Sequence, residues 1–232
     1  MNIKNKYKIM KKYLFLALAG MMLALPSNAQ YYSRSRYANT HKRYTYNSNR
    51  YVNDVYYGLR LGLAVSTVSS DASKLDGNKS QTGLNLGFAI GKRLSNTTPL
   101  YFESGLYYTE KGGKSDDKFG KFTYDLNYLE VPLLVKYVYS IDRDLSIQPF
   151  AGGYLACGVG GKIKDYDDRD AFSSYDDGYF NRFDGGLKIG CGMQIQMLYF
   201  DLSYDFGLAN IGQDDFDDTR NGCFYVNIGV NF

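Results

Sequence analysis

From Tyr56 onward the chain alternates between apolar and polar or small positions. In "YYGLRLGLAVST" the residues Tyr57, Leu59, Leu61, Leu63 and Val65 fall on one parity, and Gly58, Arg60, Gly62 and Ala64 on the other. The same period returns in "TGLNLGFAIGKR", "LYFESGLYYTE", "NYLEVPLLVKYVY", "LSIQPFAGGYLACGVG", "RFDGGLKIGCGMQIQ", "YFDLSYDFGLAN" and "NGCFYVNIGVNF". A two-residue period predicts strands with one apolar and one polar face. The "LSIQPFAGGYLACGVG" segment is the least regular, and Pro149 with Gly152–Gly153 predicts a bulge or bend there.

The connections alternate as well. "SNTTP", "SIDRD" and "QMLY" are short, whereas "VSSDASKLDGNKSQ", "KGGKSDDKFGKFT", "KIKDYDDRDAFSSYDDGYFN" and "IGQDDFDDTRN" are long and polar. Strands of about ten residues, with short turns at one end and long loops at the other, suit tilted crossings of a bilayer with the short turns in the periplasm. The expected fold is therefore all-β: an eight-stranded antiparallel up-and-down transmembrane barrel over residues 55–232, in a cell outer membrane. A soluble eight-stranded barrel of the lipocalin kind alternates too. Three features favour the membrane form. The polar face carries charge at Arg60, Glu103, Glu130, Lys136, Asp184, Lys188, Asp201 and Asp205, which suits an ion-paired lumen. Glycine recurs on that face and relieves crowding inside a narrow barrel. The last strand ends on Phe232, an aromatic that resembles the signal read by the barrel-assembly machinery.

The segment "YLEVPLLVKY", Tyr128 to Tyr137, resembles the PorT-type outer-membrane β-barrel family of Gram-negative bacteria. "QPFAGGYLACGVGG" and "DLSYDFGLANI" are similar to that family's following and penultimate strands. The resemblance spans residues 55–232 and leaves the preceding segment outside. It implies a small outer-membrane barrel and, for some members, an accessory part in protein secretion. It implies no catalytic residues.

Charges on the inward face admit a narrow solute pore, or an internal ion-pair network that plugs the lumen. Eight strands leave a lumen that side chains nearly fill, which favours the network. Glu130 and Lys136 are its first candidates, with Arg60, Lys188 or Asp201 as partners. Membrane-barrel enzymes typically use His as base or acid. The one His here, His41, lies before the barrel, so no enzymatic activity, cofactor or metal site is expected. Of the acidic stretches "DYDDRD", "YDDG" and "DDFDD", the first lacks the sixth-position Gly of an EF-hand; all three read as solvated anionic loops, with loose Ca²⁺ or Mg²⁺ bridging to lipopolysaccharide phosphates as the alternative. "GVGGK" lacks the spacing of a phosphate-binding loop.

Upstream, Lys4, Lys6, Lys8, Lys11 and Lys12 precede an apolar run from Tyr13 to Leu25 and a small-residue site ending at Ala29, the pattern of a cleaved signal peptide over residues 1–29. Removing its five lysines turns the formal charge of +3 into −2, so the basic balance is no argument for nucleic acid. Residues 30–54 hold Tyr, Arg, Ser and Asn with almost no aliphatic side chain and read as a flexible basic periplasmic arm. Cys157, Cys191 and Cys223 are too few and too scattered for a disulfide framework. The expected partners are outer-membrane lipid and lipopolysaccharide, the assembly machinery, and a further envelope protein.

Overall fold

In lipid no water is available to the backbone, so a sheet can cross only if it closes on itself. The computed structural model shows that closure. It describes residues 54–69, 79–117, 120–165, 172–175, 180–212 and 219–232; the expected signal peptide and arm, except Asp54, lie outside them. The strands are β1 (Val55–Ser69), β2 (Lys79–Arg93), β3 (Leu100–Asp117), β4 (Gly120–Tyr137), β5 (Tyr139–Ser140), β6 (Leu145–Gly160), β7 (Lys162–Asp165), β8 (Phe172–Ser173), β9 (Phe183–Ile195), β10 (Leu198–Gly207) and β11 (Arg220–Asn231). Eight of them form the ring β1-β2-β3-β4-β6-β9-β10-β11, every pair antiparallel, with β11 returning to β1. The closing ladder runs from Ser69↔Arg220 to Gly58↔Asn231. Phe232 adds a last rung, its N–H and C=O bonding Tyr57 at 2.9 and 2.8 Å, and its ring stacks on that of Tyr57.

The expected face assignment holds along every stave. Leu61, Leu63, Phe88, Leu106, Leu133, Leu155, Ile189, Leu202, Val226 and Ile228 point outward and are exposed, a continuous apolar belt. Among the described residues no helix is long and apolar enough to cross a membrane. Leu134, the neighbour of Leu133, is buried inside.

Abundant Tyr and Gly share one cause. Inward tyrosines lie flat over glycines of an adjacent strand. A Cβ on Gly87 would come within 2.2 Å of the Tyr107 ring, and one on Gly192 within 2.3 Å of the Tyr199 hydroxyl. A narrow ring has room for so many large rings only where the facing residue has no side chain.

Two sequence expectations are corrected. "KGGKSDDKFGKFT" is not a loop: β3 and β4 stay paired through it, out to Asp117↔Gly120. A sheet that rises above the bilayer meets water on its outer face, so polar composition there does not demand a loop. Gly112 permits the continuation; its φ is +147°, and a Cβ would sit 2.2 Å from Tyr124 O. Part of the next expected loop likewise joins the sheet, β7 pairing with β4 at Phe122–Tyr124 and β8 with β7. The second correction concerns β6. It runs without interruption against β9 through Pro149 and Gly152–Gly153, and its irregularity against β4 lies instead at Asn127/Tyr128, opposite Gly158 and Gly160. Gly152 relieves close approach rather than breaking the ladder, since a Cβ there would meet Leu133 O at 2.0 Å.

An outward charge should be costly at mid-strand and tolerated near the rim. Leu133→Arg is expected to destabilise the barrel by about 2–4 kcal/mol, and Val159→Arg, outward and near the long-loop end of β6, by about 0–1 kcal/mol. Urea titration of both variants refolded into lipid vesicles checks this. Equal losses would contradict the assigned depth of the belt.

Candidate functional site

The inward face carries the polar chemistry, and the registers sort it into two clusters. Near the short-turn end, Lys136 of β4 donates to Glu103 Oε2 of β3 at 2.6 Å and to the Tyr199 hydroxyl of β10 at 3.0 Å. Tyr56 of β1 donates to the same carboxylate oxygen. Arg60 lies 3.9 Å from Glu103 and donates to Asn231 Oδ1 of β11 at 2.6 Å, its guanidinium 3.9 Å above the centre of the Tyr199 ring. The two cations share one acid, and the ring faces of Tyr199 supply further negative potential to both. Gln148 and Gln194 join one another below this cluster at 2.9 Å, and Asn231 donates to Gln194.

Farther up, Lys111 of β3 is surrounded by carboxylates: Glu130 at 3.2 Å, Asp205 at 3.2 Å and Asp184 at 3.6 Å. Lys188 of β9 bridges two of them, 2.6 Å from Glu130 and 3.2 Å from Asp205. Tyr225 donates to Asp205 at 2.9 Å, and Asn221 to Asp184 at 2.9 Å. Both ammonium groups lie over tyrosine rings, Lys111 4.5 Å from the centre of Tyr154 and Lys188 4.3 Å from that of Tyr225. Asp201 is held between the clusters by Asn227, which accepts in turn from Asn85. Toward the long loops the polar groups give way to a buried apolar layer that includes Tyr124, Leu126, Ile163, Phe180 and Ile211. Tyr175, in the turn after β8 and above the spanning strands, joins this layer; burial first, then the neighbouring Tyr128 phenol, push its hydroxyl above the usual tyrosine range. It caps the lumen as a neutral group.

All eight charged positions singled out in the sequence lie on the inward face and are buried: Arg60, Glu103, Glu130, Lys136, Asp184, Lys188, Asp201 and Asp205. Glu130 and Lys136 do not meet. Six residues along one strand separate them by about 20 Å of chain, and each finds its partners on other strands. Of the three partners the sequence offers, Lys188 meets Glu130, and Arg60 sits beside Lys136 through their common acid. Lys111, fully buried, was missed because it opens a stretch read as a loop. Its signal was available: it continues the inward parity of Tyr101, Glu103, Tyr107 and Thr109. Phe232 faces outward on the closing seam. Among the described residues no group of three or more His, Cys, Asp or Glu could hold a metal ion, and the three cysteines are free, Cys157 and Cys191 on the lipid face. His41 and most of the acidic stretches lie outside the described residues.

Removing one member of a buried charge cluster leaves the others uncompensated. Lys111→Met should lower stability by about 3–5 kcal/mol, because Glu130, Asp184 and Asp205 then face one another with Lys188 alone. Adding Asp205→Asn should recover at least about 1 kcal/mol. Urea midpoints of the single and double variants measure the coupling; additive losses would show that Lys111 and Asp205 do not interact.

Comparison with solved structures gives small outer-membrane proteins. The attachment invasion locus protein Ail of Yersinia pestis is 19% identical, with 77% of this chain and 99% of that one covered and a TM-score of 0.41. Neisserial surface protein A is 14% identical, with 76% and 97% covered and a TM-score of 0.46. A major outer membrane protein from Thermus thermophilus is 14% identical, with 77% and 99% covered and a TM-score of 0.47. No curated protein matches the chain. The family match is the informative one, and it starts at residue 28, taking in the segment that the PorT resemblance left outside. It does not single out the PorT type. Matched over residues 28–213 and closed into an eight-stranded ring, the chain belongs to the family described as the outer membrane protein beta-barrel domain.

Proposed function

We propose that this integral outer-membrane barrel is a non-enzymatic structural or interaction protein whose lumen is plugged. The observation that carries the reading is the occupancy of the inward face. Two ion-pair clusters, the rings packed over them and an apolar cap follow one another along the axis. Two open hollows on the described residues lie on the outer, lipid-facing surface. A charge paired at 2.6 Å and sandwiched by aromatic rings is a structural element, since an ion passing it would have to break the pair. No catalytic role is assigned to these carboxylates. Each is held by a cation or an amide.

A second reading, an accessory subunit of a protein-secretion assembly of the PorT kind, has one supporting observation. A groove of about 360 Å³ on the lipid face is lined by Leu133, Leu155, Phe183 and Leu208 around Gly153 and Gly185. Small residues in such a hollow let another membrane segment approach closely. Stoichiometric co-purification with other envelope proteins from native membranes would favour this reading over a free-standing barrel.

Phe232 is proposed to serve assembly as well as closure. Phe232→Asp should sharply reduce the amount reaching the outer membrane in expressing cells, measured by fractionation, while refolding into detergent is only mildly impaired. Normal membrane levels would confine the residue to its seam contact with Tyr57.

The plugged lumen is tested by conductance. Purified protein in planar bilayers should show no stable channel at moderate voltage. Large, steady openings would replace this reading with a solute pore.

A further inference from the structure

The registers at the long-loop end align basic residues around the outside of the barrel. Lys79 is opposite Lys114, Lys114 is opposite Thr123, and Thr123 is opposite Lys164. Directly paired residues share a face of the sheet. The neighbours on β4 and β7, Tyr124 and Ile163, are fully buried inside, so Thr123 and Lys162 belong to the outer face. Lys79 and Lys114 are exposed, and so is Lys162 on β7. β2 and β3 thus pair two lysines directly on the outer face, and β7 places Lys162 on the same face one rung lower, at the level of Asp125. At a strand spacing of about 4.8 Å, the ammonium groups of directly paired lysines can converge on one phosphate.

What lies below the row gives the ligand its shape. Down β3 on the same face come Gly112, Glu110, Tyr108 and Leu106; down β4 come Asp125, Asn127 and Leu129. The two acids are engaged locally: Glu110 accepts from the Leu84 N–H at 3.1 Å and the Tyr108 hydroxyl at 3.3 Å, and Asp125 from Gln81 at 2.6 Å. Under this polar rung the surface becomes apolar and exposed at Leu84, Leu106 and Leu129. A cationic row, a short polar step and an apolar wall repeat the order of phosphate, headgroup and acyl chain in an amphiphile standing in the membrane. The long-loop end of such barrels faces outward, so the amphiphile belongs to the outer leaflet. Lysine suits phosphate as a mobile point charge, and its stem reaches down toward the interface.

We infer that the pair Lys79 and Lys114, with Lys162 one rung below, binds the phosphate groups of an outer-leaflet glycolipid whose acyl chains lie on Leu84, Leu106 and Leu129. The inference names a lipid partner for the barrel proposed above and is independent of whether the lumen conducts. The test is native mass spectrometry of the full, detergent-folded protein with diphosphoryl lipid A, its dephosphorylated form and inorganic phosphate. Wild-type protein should retain diphosphoryl lipid A in preference to the dephosphorylated form, and millimolar inorganic phosphate should not displace it. Lys79→Gln with Lys114→Gln should weaken retention about tenfold or more, with the heat-modified gel shift confirming that the variant is folded. Lys92→Gln, an exposed lysine at the short-turn end of β2, should bind as wild type. Unchanged retention in the double variant, equal loss in Lys92→Gln, equal binding of the dephosphorylated lipid, or displacement by inorganic phosphate would each overturn the inference.

Discussion

Every backbone N–H and C=O that enters the hydrocarbon must find its partner within the protein, and the rest of this structure follows from that demand. It forces the ring to close, from β1 through β4 to β6 and around to β11, with Phe232 completing the seam at Tyr57. Closure with only eight strands leaves a bore too narrow for bulk water and too wide to be empty. The inward positions must then fill a fixed volume with groups that tolerate one another. The chain's solution is tyrosine laid over glycine, and lysine or arginine laid over tyrosine, with carboxylates completing the charge.

The distribution of these groups along the axis explains why charge can be held there. The cluster around Lys136 and the cluster around Lys111 each contain both signs, so neither leaves an isolated ion in a low-dielectric bore. Amides of Asn227 and Asn221 hold the carboxylates that have fewer cationic neighbours. The apolar layer of Tyr124, Phe180 and Ile211 then separates the upper cluster from the long-loop end. Buried ion clusters of this kind contribute little net stability over an apolar filling, but they tie five strands to one register through Lys111 and Lys188 alone: β3, β4, β9, β10 and, by way of Tyr225, β11.

Much of this was legible in the sequence because a strand has a short, strict period. Leu133 and Leu134 are adjacent and chemically alike, yet parity alone assigns one to lipid and the other to the lumen. Partnership was not legible. Which acid meets Lys188 depends on the stagger between strands, and no local pattern encodes that; Glu130 and Lys136 stand out as network members in the sequence, but only the register shows that one meets Lys188 and the other Glu103. Lys111 escaped notice because polar composition was taken for a loop, whereas a strand rising above the bilayer can be polar on both faces. The tyrosines escaped for a different reason. An inward Tyr looks apolar in an alternation count, and only the fold shows that Tyr199 and Tyr225 serve the charges as acceptor, donor and aromatic face.

A filled, water-excluding bore can be tested where it is made. Ser203 lies on the inward face of β10, between Asp201 and Asp205, and is 4% exposed. In a variant with Cys157, Cys191 and Cys223 replaced by Ala, a single Ser203→Cys should react with a small water-soluble methanethiosulfonate no faster in folded proteoliposomes than the cysteine-free background, and fully on unfolding. Rapid labelling of the folded protein would mean that water threads the lumen, and the account of a barrel closed by its own side chains would fail.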